Sequence, residues 1–381
     1  MTEQTIVRRR LVVFLPGFEA MPSVAHAKRF RREASRTAPV YGLVLPENVP
    51  IAQDGDVAVA EIACAGSAGA TFTELHVDSL DGIAAFYAGR GGVERLVSGY
   101  GALVDFAFSG AAFRFARTSW RYLIFYLYPL LLPLLAIVLA LTALQVTGSL
   151  GAGVLTGAVA ASILAWTALN RLHLMLVMDD WAFARDLAHR RQPAFDAAIE
   201  RLAERTRRRA SDGSFDEIVI AAHSLGAITA VALAARLLRQ AKAPMPPIGV
   251  LTVGSSLLKV ALHPRAAWLR DDVRTIAESN SAWLDVQALT DPIHFYKSHP
   301  VRSLGLAEVG SANTMRVRFR DQLHSDRYRQ MKFDLFAVHR QFVNGVDRAS
   351  AYAFHAILLG PTSFAAVAAR PGLQQKKETD R

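Results

Sequence analysis

The chain has 381 residues, with 43 basic and 33 acidic side chains, a net charge of +10 and 52% hydrophobic residues. This composition excludes intrinsic disorder and the collagen-like and low-complexity classes, and the length suits one large or two ordinary domains. A single cysteine, Cys64, excludes a disulfide scaffold and a cysteine-rich zinc site.

From the N-terminus, Arg8-Arg9-Arg10 leads into Leu11–Leu15, which reads as a buried strand ending at Pro16-Gly17-Phe18-Glu19. That apolar run is too short for a signal-peptide core. Val40–Leu45 is a second short apolar run, Val57–Cys64 and Thr71–Val77 are weaker ones, and Phe86–Phe108 has apolar residues at helical spacing.

The mean hydropathy of +0.21 is high for so basic a chain, because the apolar residues are concentrated. From Tyr122 to Asn170 there is no Asp, Glu, Lys, Arg or His. The stretch divides at Thr147-Gly148-Ser149-Leu150-Gly151 into segments of about 122–146 and 150–170, each long enough to cross about 30 Å of hydrocarbon. Trp120, Tyr122, Tyr126, Tyr128 and Trp166 lie toward the outer ends, as an interfacial aromatic belt would. Pro129 and Pro133 are tolerated in lipid-embedded helices, and Gly153-x-x-x-Gly157 permits close helix approach. The reading is a transmembrane helical hairpin in an integral membrane protein. Arg114, Arg117 and Arg121 precede it and Arg171, Arg185, Arg190 and Arg191 follow it. The positive-inside rule therefore places both flanks in the cytoplasm, against the inner membrane in a bacterium.

After the hairpin, Leu172–Leu187 reads as a helix continuing out of the membrane and Phe195–Arg209 as an amphipathic helix. Glu217–Ala221, Ile248–Val253, Ala282–Leu289 and Met315–Phe319 read as strands, interleaved with a helix over Thr229–Leu238 and late helices over Phe336–Asn344 and Ala351–Leu359. Alternating strands and helices predict an α/β fold with a doubly wound, mostly parallel sheet. The expected organisation is residues 1–118 and 179–370 as two parts of one α/β domain, 119–178 as the inserted hairpin, and 371–381 as a disordered tail.

The chemistry is carried by Ile218-Val-Ile-Ala-Ala-His-Ser-Leu-Gly-Ala227. A β-rich run feeds into Ala222-His223-Ser224-Leu225-Gly226 and a helix follows. Here the chain resembles the α/β-hydrolase superfamily, at the nucleophile elbow of its lipases and esterases. A sharp strand-to-helix turn needs small residues two before and two after the serine; Gly226 supplies one, and Ala222 replaces the usual first glycine. The resemblance implies Ser224 as nucleophile, then an acid, then a histidine in chain order. Asp291, in Asp291-Pro292-Ile293 after an apolar run, is the leading acid, with Asp285 and the Asp271-Asp272 pair behind it. His339 leads for the base and His324 is its rival; His294 and His299 come too soon after Asp291, and His355 belongs to a late helix. His223 reads as a structural neighbour of the serine. The resemblance implies the N–H groups of Leu225 and Phe18 as oxyanion donors, with the family's frequent His-Gly replaced here by Pro16-Gly17.

The expected function is thus a membrane-anchored serine hydrolase of carboxylic esters, with lipid or acyl-thioester substrates suggested by location alone. Transacylation and peptidase-like chemistry stay open, as does the oligomeric state. The rival is a catalytically idle hydrolase fold serving as a membrane-tethered binding or assembly module. Neither cofactor nor metal is expected: His-x-x-x-His, Cys-x-x-Cys, P-loop and dinucleotide patterns are absent. Basic clusters such as Lys28-Arg29-Phe30-Arg31-Arg32 read as solvated faces rather than nucleic-acid sites.

Overall fold

A computed structural model describes residues 6–67, 69–240, 245–306, 310, 312–370 and 373. Its strands are β1 (Arg9–Leu15), β2 (Ala52–Asp54), β3 (Val57–Gly66), β4 (Gly69–Val77), β5 (Glu217–His223), β6 (Ile248–Val253), β7 (Ala282–Ala288) and β8 (Asn313–Val317). They form an 8-stranded sheet in the order β2-β3-β4-β1-β5-β6-β7-β8. From β4 to β8 every neighbouring pair is parallel, while β2 and β3 add an antiparallel edge. Strands β1 and β5 are buried almost throughout, so they read as continuous apolar runs rather than alternating ones.

The helices are α1 (Ser23–Thr37), α2 (Asp81–Ala88), α3 (Gly92–Phe108), α4 (Ala111–Thr118), α5 (Trp120–Thr147), α6 (Leu150–Asn170), α7 (Leu174–Ala188), α8 (Pro193–Asp212), α9 (Gly226–Arg239), α10 (Leu257–Ala261), α11 (Ala267–Glu278), α12 (Phe319–Gln322), α13 (Ser325–Met331), α14 (Leu335–Arg340), α15 (Phe354–Leu359) and α16 (Phe364–Ala369). Successive residues of a strand point to opposite faces, and the core divides accordingly. Leu11, Val13, Ile218 and Ile220 pack with α3, α7, α8, α9 and α11, whereas Val12, Phe14, Val219 and Ala221 pack with α1, α15 and α16. The sheet is thus covered on both sides.

Between β4 and β5 the chain forms α5 and α6, both long and apolar enough to cross a membrane. The glycine pair does bring them together: a Cβ on Gly157 would lie 2.8 Å from Ala140 Cβ, and one on Gly153 3.0 Å from Leu144 Cβ. Pro133 has no N–H for the Pro129 carbonyl one turn earlier, and Tyr100 Oη donates to that carbonyl at 3.0 Å instead.

The first turns of α5 correct the expected aromatic belt. Tyr122 and Tyr126 are fully buried in the protein, Tyr122 stacked on Phe295 at 3.8 Å and Tyr126 Oη donating to Leu103 O at 2.6 Å. Sequence spacing cannot separate a ring at a lipid interface from one in a protein core, since both want an apolar body with a polar tip. Trp120 and Trp166 do remain exposed. Two further features are local. In the apolar run Val40–Leu45, Ala38–Tyr41 form a short 3-10 turn and Val44 bridges to Ala65. The expected continuous exit helix breaks at His173, whose φ is 48°, before α7 begins. The tail expectation falls on residues 371–381, of which only Leu373 is described.

Burial of histidine makes the fold acid-sensitive. Burial holds His26 and His355 down to about 3, and His223 well below its ordinary value. These groups are neutral in the fold and take up protons on unfolding below about 6.5, so their stability is present at neutral pH and lost as pH falls. Asp78 and Asp272, pushed up to about 6 by burial, act in the opposite direction between about 6 and 4. The histidines outnumber them. Unfolding free energies from denaturant titrations in detergent are therefore expected to fall from pH 6 to pH 4, by about 1.4 kcal/mol per unit for one net proton. A flat profile over that range would refute the buried-neutral assignment.

Candidate functional site

The site lies at the carboxyl ends of the parallel strands, where open α/β sheets present their loops. Strand β5 runs straight into α9, and the residue at the turn, Ser224, has φ 56°. This left-handed backbone is uncommon for a serine and is the strained turn that the sequence predicted. Its N–H donates to Val253 O at 3.1 Å and its carbonyl accepts from Ser256 N at 3.1 Å, so the end of β6 and the loop after it hold it. The small-residue requirement is plain at Gly226, where a Cβ would sit 2.2 Å from Leu15 O and 2.4 Å from Pro16 O. Gly17 approaches from the other strand, and a Cβ there would be 3.0 Å from Ser224 Cβ. The β5–α9 turn and the β1 loop are therefore in backbone contact.

Asp291 follows β7 and is fully buried. Its Oδ1 accepts from Ile293 N at 2.9 Å; its Oδ2 accepts from His339 Nδ1 at 2.7 Å and from His294 Nδ1 at 2.9 Å. Burial alone would raise this carboxyl, but the two facing histidines outweigh it and hold it well below the usual carboxylate range. The residue is an acceptor-only carboxylate. His339 must then carry its proton on Nδ1, leaving the Nε2 lone pair free. That Nε2 is buried and has no hydrogen-bond partner, so Ser224 Oγ makes no bond to it. The serine and the imidazole are nonetheless neighbours through shared contacts. The His223 and His339 rings lie 4.5 Å apart, and a Cβ on Gly254, next after Val253, would be 3.3 Å from His339 Cε1.

Of the two candidate bases, the structure brings His339 and not His324 to Asp291. His324 is exposed at the start of α13, where its backbone N–H donates to Asp347. Asp285 lies within β7 and accepts from Thr252 Oγ1 at 2.6 Å, while Asp271 and Asp272 sit on α11, paired with Arg274 and Arg239. Neither the Phe18 nor the Leu225 N–H has an acceptor among the described residues, and both residues line one narrow cleft with Gly17, Asp78 and Thr229.

Two contributors escaped the sequence. The short spacing from Asp291 argues against His294 as the base and says nothing of its other use. Its Nε2 accepts from Ala288 N at 3.2 Å, which fixes the proton on Nδ1 and makes the ring a second donor to Asp291. His223 donates from Nε2 to the His339 carbonyl at 3.0 Å and so props the backbone of His339. The motif Asp-Pro-Ile-His carries the first signal, a ring three residues beyond the acid; nothing local carries the second.

The loops of the site are braced by the chain on either side of the hairpin. Arg121 donates to Leu289 O and Tyr122 stacks on Phe295, both beside Asp291. His173, at the foot of α6, meets Phe336 on α14 at 4.8 Å, and Phe183 of α7 stacks on Phe18 at 5.1 Å.

A cluster of metal-ligand type, Asp105, His189 and His263, lies apart from these loops. Both Nε2 atoms point at Asp105 Oδ2, at 3.0 and 3.1 Å. Both Nδ1 atoms accept from Arg265, which puts a hydrogen on each Nε2. The trio is a satisfied hydrogen-bond network and does not fit a cation, which would need those two lone pairs.

No protein-family model matches the chain, and no curated protein or solved structure is significantly similar to it.

Proposed function

We propose that the protein is a serine hydrolase of the α/β-hydrolase type that cleaves carboxylic esters, anchored in the membrane by α5 and α6. The observation that carries this reading is the left-handed Ser224 at a strand-to-helix turn, beside an imidazole whose Nδ1–H is held by a buried carboxylate. In the proposed mechanism Ser224 Oγ attacks the ester carbonyl carbon while His339 Nε2 takes its proton. The tetrahedral oxyanion is bound by the Leu225 and Phe18 N–H groups, and Asp291 stabilises the imidazolium. His339 then protonates the departing alkoxide, so that the alcohol leaves and an acyl-Ser224 ester remains. Water attacks that ester, gives its proton to His339 and regenerates Ser224 as the carboxylic acid departs. The packing of α5, of the His173 turn after α6 and of α7 against Phe295, Phe336 and Phe18 favours esters that reside in or at the bilayer.

A second reading, an idle hydrolase fold serving as a tethered binding module, draws on one observation: His339 Nε2 lacks its serine partner. Substrate-free sites often tighten this bond only on binding, so the first reading is preferred. Treatment of the full-length protein in nanodiscs with a fluorophosphonate distinguishes them. Peptide mass mapping is expected to find one adduct, on Ser224. No adduct on any serine would leave the idle module standing.

A further inference from the structure

We propose that the exposed apolar stripe of α3, with Phe113 of α4, is a second contact with the bilayer, made alongside α5. The argument begins with an unpartnered apolar face. Val93, Val97, Val104 and Phe108 are exposed on α3, Phe108 at 90%, and Phe113 on α4 is exposed at 66%. Spacings of four, seven and four residues put the α3 set on one helix stripe. Exposed apolar area of this extent needs an occupant.

The neighbours of the stripe say which occupant. It runs beside α5 where that helix leaves the protein body: Tyr100 donates to Pro129 O, Tyr126 donates to Leu103 O, and α5 becomes largely exposed from Leu131 onward. The stripe is therefore continuous with the apolar surface of the hairpin. At its other end the guanidinium of Arg117 lies over Phe113 and that of Arg121 over exposed Trp120, a pairing of cations with amphipathic rings suited to an anionic headgroup layer.

The opposite face of α3 decides between lying on the bilayer and crossing it. Arg95 forms an ion pair with Asp179 at 2.6 Å, and Asp105 accepts from His189 and His263. These groups weld α3 to the water-facing body, and a span would carry them into hydrocarbon at a cost of several kcal/mol. The bend of 75° between α3 and α4 likewise suits a corner resting on a surface. The proposal rests on the hairpin crossing the bilayer and is independent of the hydrolase chemistry.

Single cysteines at Val97, Val104, Phe108 and Phe113, carrying a nitroxide label, test it on the full-length protein in phosphatidylcholine–phosphatidylglycerol nanodiscs. Native Cys64 is buried and can stay. Leu139→Cys in the hairpin is the lipid control and Glu94→Cys, exposed on the polar side of α3, the water control. The expected result is an oxygen-to-nickel-chelate accessibility ratio at positions 97, 104, 108 and 113 several-fold above that at 94 and below that at 139. Water-like ratios at those positions, with a lipid-like value at 139, would overturn the proposal alone. A water-like value at 139 as well would overturn it together with the membrane reading of the hairpin. Labels shielded from both probes, or broadened by a second label, would assign the face to a protein partner or a second copy instead.

Discussion

Alanine at position 224 is expected to lower kcat for ester turnover by about 10^5-fold, toward the residual level that oxyanion donors and binding sustain. KM should change little, because the Ser224 hydroxyl makes no hydrogen bond in the substrate-free protein. Fluorophosphonate labelling should vanish while the protein stays in the membrane fraction; undiminished labelling would remove Ser224 as the nucleophile. Ser224→Gly separates chemistry from conformation. With φ at 56°, serine occupies a region that glycine enters freely, and relief of that strain stabilises by about 1 kcal/mol. The glycine variant should thus be as inactive as the alanine variant yet unfold later. A glycine variant less stable than wild type would mean that the turn stores no strain.

Asparagine at position 291 is expected to cost about 10^4 in kcat, the size of effect that a mis-held histidine tautomer produces in a serine triad. The reason is hydrogen-bond bookkeeping in a fully buried place. Oδ1 faces the Ile293 N–H and Oδ2 faces two histidine N–H groups, so either orientation of an amide sets its NH2 against a donor. Relief requires one imidazole to shift its proton or turn away. His294 is held in its tautomer by the Ala288 N–H, so His339 is the ring that yields. Stability should fall by about 1–3 kcal/mol as well, the cost of a buried donor left without an acceptor. A kcat within tenfold of wild type would take Asp291 out of the acid's role and turn attention to Asp285.

Much of this was legible locally. Strand β6 has the bounds that its apolar run predicts, and the Ser224 turn could be read because the steric demand of an elbow falls on residues two positions away. The hairpin was legible for a similar reason, since a charge-free run of that length is a property of consecutive residues. What failed were choices that neighbours in space decide. Tyr122 and Tyr126 look like interfacial anchors in the sequence and are core residues because Phe295 and Leu103 come to meet them.

The sequence by itself determined the alternation of strands and helices, the apolar hairpin and the serine turn, because each depends on spacing within one segment. It ranked His339 above His324 but could not decide between them, since both follow Asp291 in the permitted order. Only the tertiary structure put His339 on Asp291 and left His324 at the surface, and only it revealed His294 as a second donor to the same oxygen. A hydrogen bond between residues 48 positions apart depends on how β7, β8 and α14 pack, and no local pattern encodes that distance.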